Sequence, residues 1–267
     1  MRPVAEVGEA AETVEAVEAG MAVLQGKAAV VTGGSRGIGR AIVERLARDG
    51  ADVVFGYASD AAAAADVERT VKEAGGSARA VQVDLAEPGA AERLMGTAGE
   101  LLGGLDILVN NAAPYLPPTP LAETTEEQYD HAMTVNAKAP FLTIRHAARH
   151  MRDGGRIVNI STVNTVRAAP GSASYVASKG ALEQLTAVAA RELGGRGITV
   201  NTVSPGATDT DLLRSSNPEK VLGQMAAMTP LGRLGTPSDI ADVVAFLAGP
   251  DGRWLTGQNV RADGGLI

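Results

Sequence analysis

The stretch AAVVTGGSRGIGRAI, residues 28–42, constrains the fold more than any other part of the chain. Four apolar residues, two of them β-branched, read as a buried strand; a glycine-rich turn follows, and then a segment with Ile42, Val43 and Leu46 at helical spacing. The spacing predicts a helix over Ile38–Arg48, stopped by Asp49-Gly50. In a strand–turn–helix unit of this kind Gly33 turns the chain, Gly37 lets backbone come close to a ligand, and Gly39 lets helix pack on sheet. The free N–H groups and positive dipole end of the helix N-terminus would face a pyrophosphate there. An ordinary strand-to-helix turn has the same outline, so the rest of the chain decides between the two.

From Gln25 onward short apolar runs alternate with longer amphipathic segments, the βαβ pattern of a parallel sheet covered on both faces. The predicted strands are Ala28–Thr32, Asp52–Gly56, Ala78–Val83, Asp106–Val109, Arg156–Ile160, Thr199–Val203 and Asn259–Arg261. The alanine-rich segment Ala61–Ala74 reads as a surface helix with Val67 and Val71 on its inner face. No internal repeat and no dividing linker is found, so residues 25–267 are read as one α/β domain. Two segments read as irregular, PYLPPTP at 114–120 and DLLRSSNPEK at 211–220; with the residues up to 228 they are the candidate lips of a substrate pocket. Met225 and Met228 pack locally or line that pocket.

A net charge of −7 gives no general basic field for nucleic acid. With no cysteine there is no disulfide framework, thiolate metal site or cysteine nucleophile. The three histidines, His131, His146 and His150, lack metal-ligand companions at useful spacing, so no metal is expected. No apolar run is long enough to cross a bilayer, and the first residues lack the pattern of a signal peptide, so a cytoplasmic protein is expected. In residues 1–24 glutamates recur at 6, 9, 12, 15 and 18, a period that builds no apolar helix face. A flexible acidic extension is expected there, with Met21 as an alternative first residue.

The glycine spacing is TGxxxGIG, and it resembles that of the short-chain dehydrogenase/reductase family. Further motifs follow in that family's order: VQVDL at 81–85, NNAA at 110–113, YVASK at 175–179 and SPGATDT at 204–210. The resemblance implies a Rossmann-type, doubly wound, seven-stranded parallel sheet in three α/β/α layers, a nicotinamide cofactor and hydride transfer between carbonyl and alcohol. It assigns to the cofactor the turn residues Gly33, Ser35, Arg36, Gly37, Ile38 and Gly39, and Asp84 with Leu85 at the adenine. It also assigns Asn111 and Ala112 beneath the cofactor, and Pro205, Gly206, Thr208 and Thr210 around the carboxamide. Ala113 replaces the family's usual glycine, which is tolerable if its φ is negative.

The end of the second strand, where members that use NAD carry an acidic residue, falls on Tyr57. Arg36 can meet a 2′-phosphate with its planar fork and Ser59 can add a hydroxyl, so NADPH is the expected cofactor. A solvated Arg36, with Asp60 as a displaced ribose anchor, would instead point to NAD.

Tyr175 and Lys179 are four residues apart, so on a helix they share one face. A phenol with pKa near 10 is a poor acid–base catalyst at neutral pH until positive charge stabilises its anion. Lys179 and the oxidised nicotinamide would supply that charge, and by resemblance Lys179 also reaches the nicotinamide ribose. The family's second hydroxyl lies thirteen residues before the tyrosine, which is Thr162; Ser161, its neighbour, would face the other way unless a bulge presents it instead. Asn136, in TVNAKAPF, matches the family's fourth catalytic residue, which bends its helix and holds a water linking the lysine to solvent.

The expected activity is an NADPH-dependent carbonyl reductase, similar to 3-oxoacyl-carrier-protein reductases and polyketide ketoreductases, acting on a small carbonyl or alcohol substrate, free or carried by a carrier protein. An NAD-dependent alcohol or sugar dehydrogenase and a non-catalytic dinucleotide sensor are the alternatives. The C-terminal run from Pro230 to Gly265 also resembles the family, in which this part helps to join subunits, so a homotetramer is expected by analogy.

Overall fold

The computed structural model describes residues 22–267; the acidic extension inferred from sequence lies, up to Met21, outside the described residues. Leu24, read as part of that extension, is buried in the core and its N–H donates to Asp49 O at 2.7 Å.

Seven strands, β1 (Ala28–Val31), β2 (Asp52–Tyr57), β3 (Ser77–Gln82), β4 (Ile107–Asn110), β5 (Arg156–Ile160), β6 (Thr199–Pro205) and β7 (Asn259–Ala262), form one sheet in the order β3-β2-β1-β4-β5-β6-β7. Every neighbouring pair is parallel. The connections are α1 (Gly37–Arg48), α2 (Ala61–Glu73), α3 (Ala90–Leu102), α4 (Glu126–Met133), α5 (Ala139–His150), α6 (Ala173–Leu193), α7 (Asp211–Ser216), α8 (Glu219–Met228) and α9 (Pro237–Ala248). A turn of π-helix, Thr134–Lys138, joins α4 to α5.

The central strands β1, β2 and β4 are mainly apolar because both faces are covered, and alternate residues feed two cores. Ala29, Val31, Val53, Phe55, Ile107, Val109 and Val158 pack with Ile42 and Leu46 of α1, Val67 and Val71 of α2, and Ile240, Val244 and Leu247 of α9. Val30, Val54, Leu108, Ile157 and Val200 face the other way, onto Met95 of α3, Ile144 of α5 and Leu193 of α6. The result is a three-layer α/β/α domain of the Rossmann type.

The boundaries differ from the sequence reading by a residue or two: α1 begins at Gly37, β3 ends at Gln82 rather than Val83, and β6 runs on to Pro205. Asp84 therefore lies two residues beyond its strand, where its Oδ1 accepts Ala86 N–H at 2.9 Å and tightens the turn into α3. The order reverses between β1 and β4, and in open parallel sheets the crevice at such a reversal, beyond the carboxyl ends of the strands, is where ligands bind.

Candidate active site

A cleft of about 1620 Å³ opens at that reversal. This is larger than the ~300–1,000 Å³ of a single small-molecule pocket and has room for a dinucleotide and a second ligand. Of the cofactor residues expected from sequence, all but Ser59 border it; Ser59 is exposed and stands off the wall.

At one end is the glycine turn. Gly37 has φ +54, a value that other residues rarely adopt, and opens α1 with bare backbone toward the cleft. A Cβ at Gly39 would lie 2.0 Å from Gly33 O and 2.5 Å from Asn111 Nδ2, so only glycine fits there. The turn is held from β4: Asn111 Nδ2 donates to Thr32 O at 3.0 Å and to Gly33 O at 2.9 Å, while Thr32 Oγ1 accepts the N–H groups of Asn111 and Ala112. This cradle, with free N–H groups at a helix start, fits a pyrophosphate. Arg36, exposed at the head of α1, has no ion-pair partner among the described residues and borders the cleft beside Tyr57. Asp60, the alternative ribose anchor, caps α2 instead, its Oδ1 accepting Ala63 N–H at 2.9 Å. No described residue other than glycine has positive φ, so Ala113 sits beneath the cleft without backbone strain.

The middle of the cleft is formed by the ends of β4, β5 and β6. Buried polar side chains lock these strands together: Asn110 Nδ2 donates to Asn159 Oδ1 at 2.8 Å, Thr143 Oγ1 to Asn110 Oδ1 at 2.7 Å, and Asn159 Nδ2 to Thr186 Oγ1 at 2.8 Å. The resemblance at NNAA implies an asparagine that stabilises the sheet, and Asn110 does so; its partners Asn159, Thr143 and Thr186 carry no mark in the sequence beyond a polar residue in an apolar run. The β ladder continues past Ile160, with Ser161 N–H donating to Val203 O at 2.8 Å. Ser161 Oγ then donates to Glu183 Oε1 at 2.6 Å, and Thr165 Oγ1 donates to the same oxygen at 2.8 Å. Ser161 and Thr162 both border the cleft, but it is the Thr162 hydroxyl that faces the Tyr175 phenol. The strand thus stays regular, without a bulge at this point.

Tyr175 and Lys179 stand one turn apart on α6. Lys179 is buried, 2% exposed, and its Nζ donates to Ile160 O at 2.7 Å. Burial pushes its ammonium down to about 8, with the Glu183 carboxylate one further turn along opposing the fall. The Tyr175 phenol is raised above its ordinary 10.0 by burial, and the Thr162 hydroxyl pulls the other way. Lys179 Nζ lies 6.0 Å from the centre of the Tyr175 ring and is turned to a backbone carbonyl; the lowering of the phenol expected from sequence rests on this ammonium together with the oxidised nicotinamide.

Asn136 sits in the π-helical turn and is fully buried behind the cleft wall. Its Nδ2 donates to Ser178 Oγ at 3.0 Å, and Oδ1 has no hydrogen-bond partner among the described residues. The π turn is the bend that the sequence reading expected at this asparagine.

The far end is walled by the 114–120 segment, which has no regular structure and is tied across by Thr119 N–H to Gly171 O at 2.9 Å. The residues after β6 differ from expectation. Instead of an irregular loop over 211–220 there are two helices, α7 and α8, because Thr210 Oγ1 caps the first by accepting Leu213 N–H at 3.2 Å and Pro218 starts the second. Thr210 keeps its hydroxyl proton free for a ligand, whereas Thr208 donates its own to Gly206 O at 3.0 Å. Met225 and Met228 line this end, and His131 lies on its rim. No cluster of three or more His, Asp or Glu able to hold a metal occurs among the described residues.

Comparison with known proteins places this geometry. A family model described as enoyl-(acyl carrier protein) reductase matches residues 33–267. A short chain dehydrogenase/reductase of Aspergillus aculeatus is 41% identical over 255 residues, covering 91% of this chain and 96% of that protein. Among solved structures, a blue fluorescent protein from a metagenomic library, in complex with NADPH, superposes with a TM-score of 0.87 at 45% identity, covering 92% of this chain and 99% of the other. The angucycline C-6 ketoreductase LanV with bound NADP superposes with a TM-score of 0.86 at 44% identity, covering 91% and 96%.

Proposed function

The chain belongs to the short-chain dehydrogenase/reductase family and is an NAD(P)-dependent oxidoreductase; from that premise we propose that it is an NADPH-dependent carbonyl reductase acting on a 3-oxoacyl or polyketide-like ketone. The observation that carries the reading is the facing pair of hydroxyls, Tyr175 and Thr162, in the same cleft as the glycine turn. Two hydroxyls converging on one point suit a single carbonyl oxygen, which distinguishes C=O reduction from the C=C reduction named in the family model's description. The uncommitted Arg36 and the uncharged Tyr57 support NADPH, since a 2′-phosphate meets a cation and no carboxylate.

When bound, the reduced nicotinamide supplies the hydride; the chain's residues do the rest. Thr162 and Tyr175 both donate to the carbonyl oxygen, and Tyr175 hands it a proton as negative charge develops there. A phenol raised above 10.0 holds its proton at neutral pH, which favours the reductive direction. Lys179, charged below about pH 8, stabilises the tyrosinate left behind. Asn136 Oδ1, buried and unpartnered, is the acceptor for a water that returns the proton by way of Lys179.

A homotetramer and a cytoplasmic setting belong to the same proposal. Exposed Phe141, Val188, Phe246 and Trp254 offer apolar surface for association, and no helix among the described residues is long and apolar enough to cross a membrane. Light scattering of the purified protein checks the first.

The central test follows NADPH and NADH oxidation with β-ketoacyl thioesters, polycyclic aromatic ketones, sugars and an enoyl thioester. Ketones with NADPH should be the preferred pair, and Tyr175→Phe should lose at least a hundredfold in kcat while still binding NADPH by fluorescence titration. Full turnover by Tyr175→Phe, or reduction of the enoyl thioester alone, refutes the reading.

A further inference from the structure

Two arginines line the cleft, one at each end. Arg36 belongs to the glycine turn. Arg167 has no place in the proposed chemistry, yet it stands at the other mouth, five residues beyond Thr162. Its backbone N–H donates to Val163 O at 2.9 Å, which anchors its stem to the short helical turn that Thr162 caps. Across the mouth its Nη2 meets only the Met228 sulfur, 3.7 Å away at the end of α8.

A thioether is a weak acceptor, and a guanidinium presents a rigid fork of donors that matches carboxylate and phosphate oxygens. Six other arginines satisfy that preference within the chain: Arg40, Arg145, Arg152, Arg196, Arg214 and Arg233 each hold a carboxylate. Arg167 holds none among the described residues. Asp211, also on the cleft wall, acts on Arg214 instead. Arg167 is exposed, and the cleft wall combines apolar residues such as Leu116, Val163 and Met225 with polar ones such as Asn164, Ser216 and Asn217. A substrate entering here displaces water from around an unpaired cation, which strengthens any interaction with an anion.

We infer that Arg167 binds an anionic group of the substrate, so that the ketone reduced here carries a carboxylate or a phosphate at the end remote from its carbonyl. The inference rests on the carbonyl-reductase reading. The shared chemistry is a pair of anionic oxygens, from a keto acid or from the phosphate of a phosphopantetheine-borne thioester.

The test compares matched ketones in the full-length protein with NADPH. One pair is a bicyclic aromatic ketone bearing a carboxylate and its methyl ester; the other is a 3-oxoacyl pantetheine thioester with and without its 4′-phosphate. For the wild type, the charged member of at least one pair should have the higher kcat/KM, and the pair that shows it identifies the source of the anion. In Arg167→Gln the charged-to-neutral ratio should fall about tenfold, through KM rather than kcat, the size of a charge-assisted hydrogen bond at an exposed site. Arg167→Lys, which keeps the charge but loses the fork, should fall between. Raising the salt from about 0.05 to 0.5 M should erode the wild-type ratio. An unchanged ratio in Arg167→Gln, with all four ketones still reduced, overturns the role of Arg167 and leaves the reductase reading standing. Reduction of none of the four overturns both.

Discussion

Removing the Lys179 amine should leave a signature in the pH dependence of stability. The buried side chain donates to Ile160 O, and burial holds its pKa at about 8 against an ordinary 10.5. For a base whose pKa is lowered on folding, the folded state gives up its proton near pH 8 while the unfolded chain keeps it to 10.5, so stability rises with pH across that window. Below pH 8 the full penalty applies: the gap between 10.5 and about 8, at about 1.4 kcal/mol for each tenfold change in proton affinity, is about 3–4 kcal/mol, of which about 3 kcal/mol is recovered by pH 10.5. Lys179→Met fills a similar volume without the amine. It also strands Ile160 O, which costs about 1–3 kcal/mol, but that loss does not vary with pH. Because the Tyr175 phenol is raised by burial and adds a pH dependence of its own, the comparison is Tyr175→Phe against Tyr175→Phe/Lys179→Met, at fixed protein concentration. Urea unfolding at about pH 7, 9 and 10.5 should show the stability of the double variant relative to the single falling by about 3 kcal/mol from the first pH to the last. With m near ~2–3 kcal/mol/M, this is a shift of about 1 M in the difference between midpoints. A difference constant to within about half a kcal/mol would mean that the amine is not buried as a cation, and the electrostatic account of the site would fail with it.

Two further substitutions probe the cleft. Thr162→Ala removes a donor to the developing oxyanion and should reduce kcat about a hundredfold, whereas Ser161→Ala, which loses a bond to Glu183, should stay within a few-fold and cost about 1 kcal/mol in stability; steady-state kinetics and urea titration together check this, and the reverse ranking would refute it. Gly39→Ala would put a methyl 2.0 Å from Gly33 O, so the turn must open; destabilisation of about 1–3 kcal/mol and at least a tenfold loss of NADPH binding by fluorescence titration are expected, and tight binding would show that the cradle is not held by this contact.

What the sequence discloses about this site is what depends on local geometry. Seven strands are legible because both faces of a parallel sheet are buried, and the glycine turn because its chemistry lies within eight consecutive residues. Even the facing of Thr162 is legible, since the ladder past Ile160 stays regular and alternation alone then sends neighbouring hydroxyls apart. The two helices over 211–228 were hidden by the breakers Ser215, Ser216, Asn217 and Pro218, which read as a loop but mark only the joint between one helix and the next. Glu183 is visibly four residues beyond Lys179, yet its hold on Ser161 and Thr165 depends on how α6 crosses the end of β5, and no spacing within either element reports that. Depth was the other hidden quantity. A tyrosine and a lysine one helical turn apart do not disclose that the ammonium is buried and turned to Ile160 O, nor that desolvation raises the phenol and lowers the ammonium. The pairing of Arg167 was hidden as well: its charge is plain in the sequence, but that its guanidinium meets the Met228 sulfur and no carboxylate among the described residues appears only once α8 is folded beside the cleft.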